Sequence, residues 1–152
     1  MGLLNYTTTI DVGKTIGEIQ SILARGKAEA ILTEFDGAGN VTAISFRAPT
    51  KFGVVSFRLP CDVRAITQTL NNQVQARKIP RRYLNDTGQA RRVGWRIIKD
   101  WLEAQLAIVE LQMVTIDQVF LPYAQAPDGR TVYELLLDRK FDLLALKPPK
   151  TP

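Results

Sequence analysis

Two hydrophobic rhythms alternate along this chain. Between Thr15 and Gly26, Ile16, Ile19, Ile22 and Leu23 recur at helical spacing and form one apolar stripe. Thr15 followed by Glu18 predicts a capping box at the start of that helix, and Gly26 predicts its end. From Ala28 the period falls to two. The runs Ala28–Phe35, Val41–Ala48 and Phe52–Pro60 read as strands, joined by Asp-Gly-Ala-Gly-Asn and Pro-Thr-Lys turns. Parity puts Ile31, Phe35, Ile44, Phe46, Val55, Phe57 and Leu59 on one face, with the small Thr42, Ala48 and Gly53 between them. Ser45, Arg47, Ser56 and Arg58 fall on the other. Such a meander is expected to be antiparallel and covered on one side only.

After Pro60 the helical rhythm returns. Asp62 is placed to cap a helix from Val63 to about Ala76, with Val63, Ile66, Leu70 and Val74 facing inward. Pro80 and the Asn85-Asp-Thr-Gly88 run then interrupt any helix, so residues 77–88 read as a flexible linker. A long helix follows from near Thr87 or Gln89 to Met113. Ala90, Gly94, Ile97, Trp101, Ala104, Ile108 and Leu111 form a heptad-like seam along it. A second stripe runs through Trp95, Ile98, Leu102, Leu106 and Val109. The small residues on the seam suit a close partner helix, which makes a homo-oligomer an expectation. Thr115-Ile-Asp-Gln118 predicts a short helical turn, and Thr131-Val-Tyr-Glu134 a capping box, with a strand as the alternative. The expected fold is α+β: a three-stranded antiparallel meander packed against helices, one of them long and in the C-terminal half. Residues 1–146 read as one domain, and the Pro-rich end, 147–152, as a disordered tail.

Composition narrows the chemistry. The single cysteine, Cys61, permits no internal disulfide, and the lack of any histidine removes His-based catalysis and Cys/His zinc sites. No run reaches the roughly 18 apolar residues of a membrane span, and no secretory leader opens the chain. A cytoplasmic location without membrane association is therefore expected. The Asn-x-Thr triplets at Asn5, Asn40 and Asn85 read as turn and cap residues.

Charge changes the picture most. From Arg77 to Lys99 there are eight basic residues and one acid, Asp86, giving +7, whereas the whole chain carries +5. The remainder is therefore net −2. Arg77, Lys78, Arg81, Arg82, Arg91, Arg92, Arg96 and Lys99, joined by Arg47 and Arg58 on the open sheet face, are the candidate phosphate contacts. Tyr83, interleaved with them, is the candidate base-stacking residue. Nucleic acid, a single strand in particular, is the partner this pattern predicts.

Weaker patterns compete. Gly13-Lys14-Thr15 ends like a phosphate-binding loop, but Thr8 stands where the motif needs glycine. Asp128, Asp138 and Lys140 have the spacing of a Mg²⁺-dependent nuclease, which would require the two acids on neighbouring strands. Asp100, Glu103 and Glu110 read as a solvated helix face, and Cys61 as a small buried hydrophobe. No catalytic residue, metal site or cofactor is predicted. The bases early on the long helix and the acids late oppose its macrodipole, a local cost that calls for a reason.

The run RRVGWRIIKDWLEAQLAIVE (Arg91–Glu110), with FRLP (Phe57–Pro60) before it and VFLPY (Val119–Tyr123) after it, resembles a family of small phage, prophage and metagenomic proteins. The resemblance covers most of the chain, from Asn5 to about Glu134. It carries no enzymatic motif and implies a setting in phage DNA replication or recombination. The expectation is thus a non-enzymatic single-strand-binding protein. The alternatives are a structural or adaptor protein associating through the long helix, and the nuclease.

Overall fold

The computed structural model describes residues 1–146; the predicted disordered tail lies outside the described residues. The fold is α+β, with five α-helices and a four-stranded antiparallel sheet among the described residues. The chain divides into two compact units, one formed by Met1–Lys27 with Pro60–Met113, the other by Ala28–Leu59 with the described residues from Val114.

The first unit is helical. Helix α1 (Val12–Arg25) buries Ile16, Ile19, Ile22 and Leu23, the stripe that the sequence predicts. It starts three residues before Thr15, however. Asp11 stands at the cap position without a side-chain bond, Thr15 is buried inside the helix, and Glu18 pairs with Arg96. The predicted capping box is therefore absent: Thr15 lies inside the helix with its hydroxyl buried and without a hydrogen-bond partner among the described residues, and Glu18 is drawn to Arg96. Nor does Gly26 take the left-handed conformation that ends the helix; Lys27 does, at φ 69°. Helix α2 (Val63–Gln75) is capped as expected, Asp62 accepting from the backbone of Arg64 and Ala65.

Helix α3 (Thr87–Glu110) starts where Asp86 accepts from the Gln89 backbone N–H, and it packs on both α1 and α2. Trp95, Ile98, Leu102 and Leu106 of its second stripe are buried. The first seam is used within the unit at its start, where Ala90 and Gly94 are buried, whereas Ala104 and Leu111 further along it are exposed. A side chain at Gly94 would run into Ile66 Cδ1 of α2, so the close partner helix for this glycine belongs to the same chain. Around it Leu70, Val74, Ile79, Tyr83 and Ala90 form a small core, with Leu3, Tyr6, Val63, Ile66 and Leu84 packed on it.

The second unit carries the sheet, in the order β1-β2-β3-β4. Strands β1 (Ala30–Phe35), β2 (Val41–Thr50) and β3 (Gly53–Arg58) form the expected meander. Its register places Ile31 opposite Phe46 and Phe46 opposite Phe57. Phe46 and Phe57 stack at 5.2 Å, and Phe120 of helix α4 (Ile116–Phe120) meets Phe46 edge-on at 5.4 Å, closing this part of the apolar face. Phe35 departs from the expectation. The register shifts after Glu34, and Phe35 at that end of β1 is exposed. The fourth strand, β4 (Ala124–Gln125), was not predicted; two residues are too short to show a period. Thr115 forms the full capping box of α4. Thr131 caps helix α5 (Val132–Asp138), so the helical alternative holds over the strand.

Candidate nucleic-acid interface

The basic segment begins where α2 ends. The backbone N–H of Lys78 bonds the Gln73 carbonyl and that of Arg77 the Val74 carbonyl, each at 2.9 Å, the paired bonds of a left-handed helix stop. Arg77 holds the left-handed position at φ 57°, where glycine would be cheapest. Beyond it the chain does not hang free as a linker. Ile79 and Tyr83 are buried, and Arg81–Tyr83 form a single 3₁₀ turn. Asn71 of α2 then clamps Asn85, accepting from its backbone N–H at 2.8 Å and donating to its side-chain oxygen at 2.9 Å. The Pro and Asn/Gly interruptions break the helix without releasing the segment, because alternate apolar side chains anchor it.

This anchoring reassigns Tyr83. Its side chain is only 8% exposed and its ring meets Tyr6 edge-on at 5.4 Å. The guanidinium of Arg82 lies 5.0 Å from the ring centroid and donates to the phenol oxygen at 3.1 Å. The predicted stacking residue is thus a core residue here and offers no platform for a base. Its spacing among arginines looks the same from either side of the chain, and the deciding contact, Tyr6, lies far away in sequence.

The cations split into two groups. Arg96 is ion-paired with Glu18, and Lys99 with Glu103 at 2.7 Å and Asp100 at 3.6 Å. The hydrogen bond that Lys99 donates to Glu103 raises the lysine's pKa above that of an ordinary lysine. Both cations are therefore neutralised within the unit, which answers the unfavourable charge order along α3. Arg77, Lys78, Arg81, Arg82, Arg91 and Arg92 have no acid within ion-pair distance among the described residues. Arg92 donates instead to the Gln89 side chain at 2.9 Å. Gln89 is buried, and its amide donates to the carbonyls of Tyr6 and Thr8 at 2.7 and 2.9 Å. It thereby ties the N-terminal segment to the start of α3. The sequence carries no local sign of that role. The one acid in the stretch, Asp86, is committed to the α3 cap. Six cations without an acid partner among the described residues thus lie along the segment that joins α2 to the first turns of α3.

On the second unit, Arg58 is paired with Glu34 at 3.0 Å across β2, leaving the small Ala43 and Ser45 buried between their strands. Arg47, on the same face, is exposed and has no acid partner among the described residues.

The other candidates are occupied by structure. Arg130 donates to Asp128 and to Asp138, both at 2.9 Å, and its backbone N–H, then its guanidinium, hold the Asp128 carboxyl below the usual carboxylate range. Asp138 is the last residue of α5, not part of a strand, so the nuclease pattern is not assembled. No group of metal-ligating side chains gathers among the described residues. Lys14 lies exposed on α1, and Thr15 is buried within it. Burial, with Asp62 adding to it, pushes the Cys61 thiol up to about 12. No described helix is long and apolar enough to cross a membrane. No protein-family model, curated protein or solved structure matches this chain.

Proposed function

We propose that this chain is a non-enzymatic nucleic-acid-binding protein that grips phosphates through the α2–α3 junction. The carrying observation is the division among its cations. Arg77, Lys78, Arg81, Arg82, Arg91 and Arg92 are without acid partners among the described residues, while Arg96 and Lys99 a turn or two further on are paired. A solubilising charge pattern gives no reason to spare one set. With Tyr83 in the core, binding at the junction is electrostatic and tolerant of base sequence. Single-stranded DNA, handled in the replication or recombination of a phage in its host's cytoplasm, is the partner favoured by the likeness of Arg91–Glu110 and Val119–Tyr123 to phage and prophage proteins. Fluorescence anisotropy with single-stranded DNA, duplex DNA and RNA oligomers, titrated at several salt concentrations, tests the proposal. Up to six neutralised phosphates correspond to a log–log salt slope of about −4 on a single strand. Absence of binding at low salt removes the nucleic-acid reading, and equal binding of duplex removes the strand preference.

A further inference from the structure

Strand β1 pairs with β2 on one side and has no strand on the other among the described residues. An open edge of this kind presents a row of unpaired backbone donors and acceptors, and folded proteins guard such edges with lysine, proline, inward charge or very short strands. At the opposite edge, β4 is two residues long and Pro127 follows shortly after it, so that edge is protected. The run AILTEF of β1 has no such protection. It has neither lysine nor proline, and its one charge, Glu34, is taken up by Arg58 on the face of the sheet. The register shift comes after Glu34, which leaves Ala30–Glu34 as five regular residues. At their centre is Leu32, 61% exposed.

We infer that β1 is the interface through which two copies of this chain pair, edge to edge and antiparallel, into one continuous eight-stranded sheet. The partner is a second copy because the edge is complementary to itself. A two-fold axis perpendicular to the sheet and passing through Leu32 keeps each face on its own side. It then sets Leu32 against the partner's Leu32, Ile31 against the partner's Thr33, and Ala30 against the partner's Glu34. Opposed side chains in such a pair have Cβ atoms about 5 Å apart, which brings the two exposed leucines into contact. Beyond the regular residues, Glu29 falls opposite the partner's Phe35, so no acid meets an acid. Leu32 shares its face with Ser45 and Arg58, and the paired sheet therefore brings the open faces of both copies onto one side. This route to an oligomer is independent of the nucleic-acid reading. It also differs from association through α3, where the place of a partner helix at Gly94 is taken by α2.

The test is the mass of the protein in solution, measured by sedimentation velocity without nucleic acid, for the wild type and for Leu32→Lys, with circular dichroism to verify folding. The wild type is expected to be a dimer and Leu32→Lys to halve the mass, because the axis sets the two lysines against each other. A second variant removes dependence on that one: Leu32→Cys is expected to lock the dimer as a disulfide under mild oxidation, whereas Val54→Cys, exposed on β3 away from the edge, is not. Cys61, half-buried and with a raised pKa, is a poor competitor for oxidation, and the Val54→Cys protein carries it as well. A monomeric wild type overturns the inference. So does a dimer that Leu32→Lys leaves intact or that Leu32→Cys fails to lock.

Discussion

Ile66 of α2 occupies the space that a side chain on Gly94 of α3 would need. The close approach of these helices thus depends on a missing Cβ. Alanine at 94 gains about 1 kcal/mol of helix propensity over glycine. Overpacking against Ile66 costs typically 1–3 kcal/mol, at the lower end here because Cδ1 is the mobile tip of its side chain. The single variant Gly94→Ala is therefore expected to be neutral to mildly destabilising. In an Ile66→Ala background the clash disappears and Gly94→Ala stabilises by about 1 kcal/mol. Urea unfolding of the four proteins reads the coupling directly, and additive effects would show that Ile66 does not crowd position 94.

Thr15 and Trp95 each bury a polar atom, the hydroxyl and the indole N–H, that has no hydrogen-bond partner among the described residues. A buried donor left unpaired costs about 1–3 kcal/mol. Thr15→Val keeps the branched shape and removes the hydroxyl. It is expected to raise stability by about 1 kcal/mol in urea unfolding. A loss of stability instead would show that the hydroxyl is satisfied in solution.

Much of the fold was legible because its signals are local. Asp62, Thr115 and Thr131 cap the helices they were expected to cap, and the parity of the meander survives through its middle, whereas Phe35, Thr42 and Gly53 near the strand ends are exposed and Ser45 on the other face is buried. Asn5 and Asn85 hold the positive φ angles expected of turn residues. What could not be read depends on partners distant in sequence or on residue types that give no warning. Helices α1, α2 and α3 are followed by Lys27, Arg77 and Gln112 in left-handed geometry, although none is glycine or asparagine. The candidate site shows the same limit. Charge density located the α2–α3 junction, but the pairing of Arg96 with Glu18, 78 residues away, and the burial of Tyr83 against Tyr6 are tertiary events. Local pattern therefore found the patch and overstated its membership.

The Cys61 thiol, raised from 9.0 to about 12, makes a prediction in two parts. At neutral pH the native thiolate fraction is far below that of a free cysteine, so a thiol reagent is expected to react with Cys61 only once the protein is unfolded. The sign of the pH dependence follows from linkage. Between pH 9 and 12 the unfolded chain has lost the thiol proton and the folded chain keeps it, so stability falls as pH rises through that window. Below pH 9 the contribution is complete. Lysine and tyrosine titrate in the same range, so the informative measurement is the difference between wild type and Cys61→Ala. The alkaline fall in stability is expected to be shallower in the variant, and identical curves would contradict the raised pKa.

The division between paired and unpaired cations makes opposite predictions for two arginines on the same segment. Arg81 is exposed and without an acid partner among the described residues, whereas Arg96 is ion-paired with Glu18 between α3 and α1 and only 16% exposed. Arg81→Ala should leave unfolding unchanged, weaken oligonucleotide binding by a similar factor for every base sequence, and reduce the magnitude of the salt slope by about 1. Arg96→Ala should do the reverse. Loss of a partly buried ion pair is expected to cost about 1 kcal/mol of stability, while affinity and salt slope stay near wild type as long as the protein is folded. Glu18→Gln, which removes the other member of the pair, should lower stability too, and by freeing Arg96 it should hold or strengthen binding. Anisotropy titrations and urea unfolding on the same four proteins separate the two roles. If Arg81→Ala and Arg96→Ala weaken binding equally, the unpaired cations are not a distinct surface, and the observation behind the proposed function fails with them.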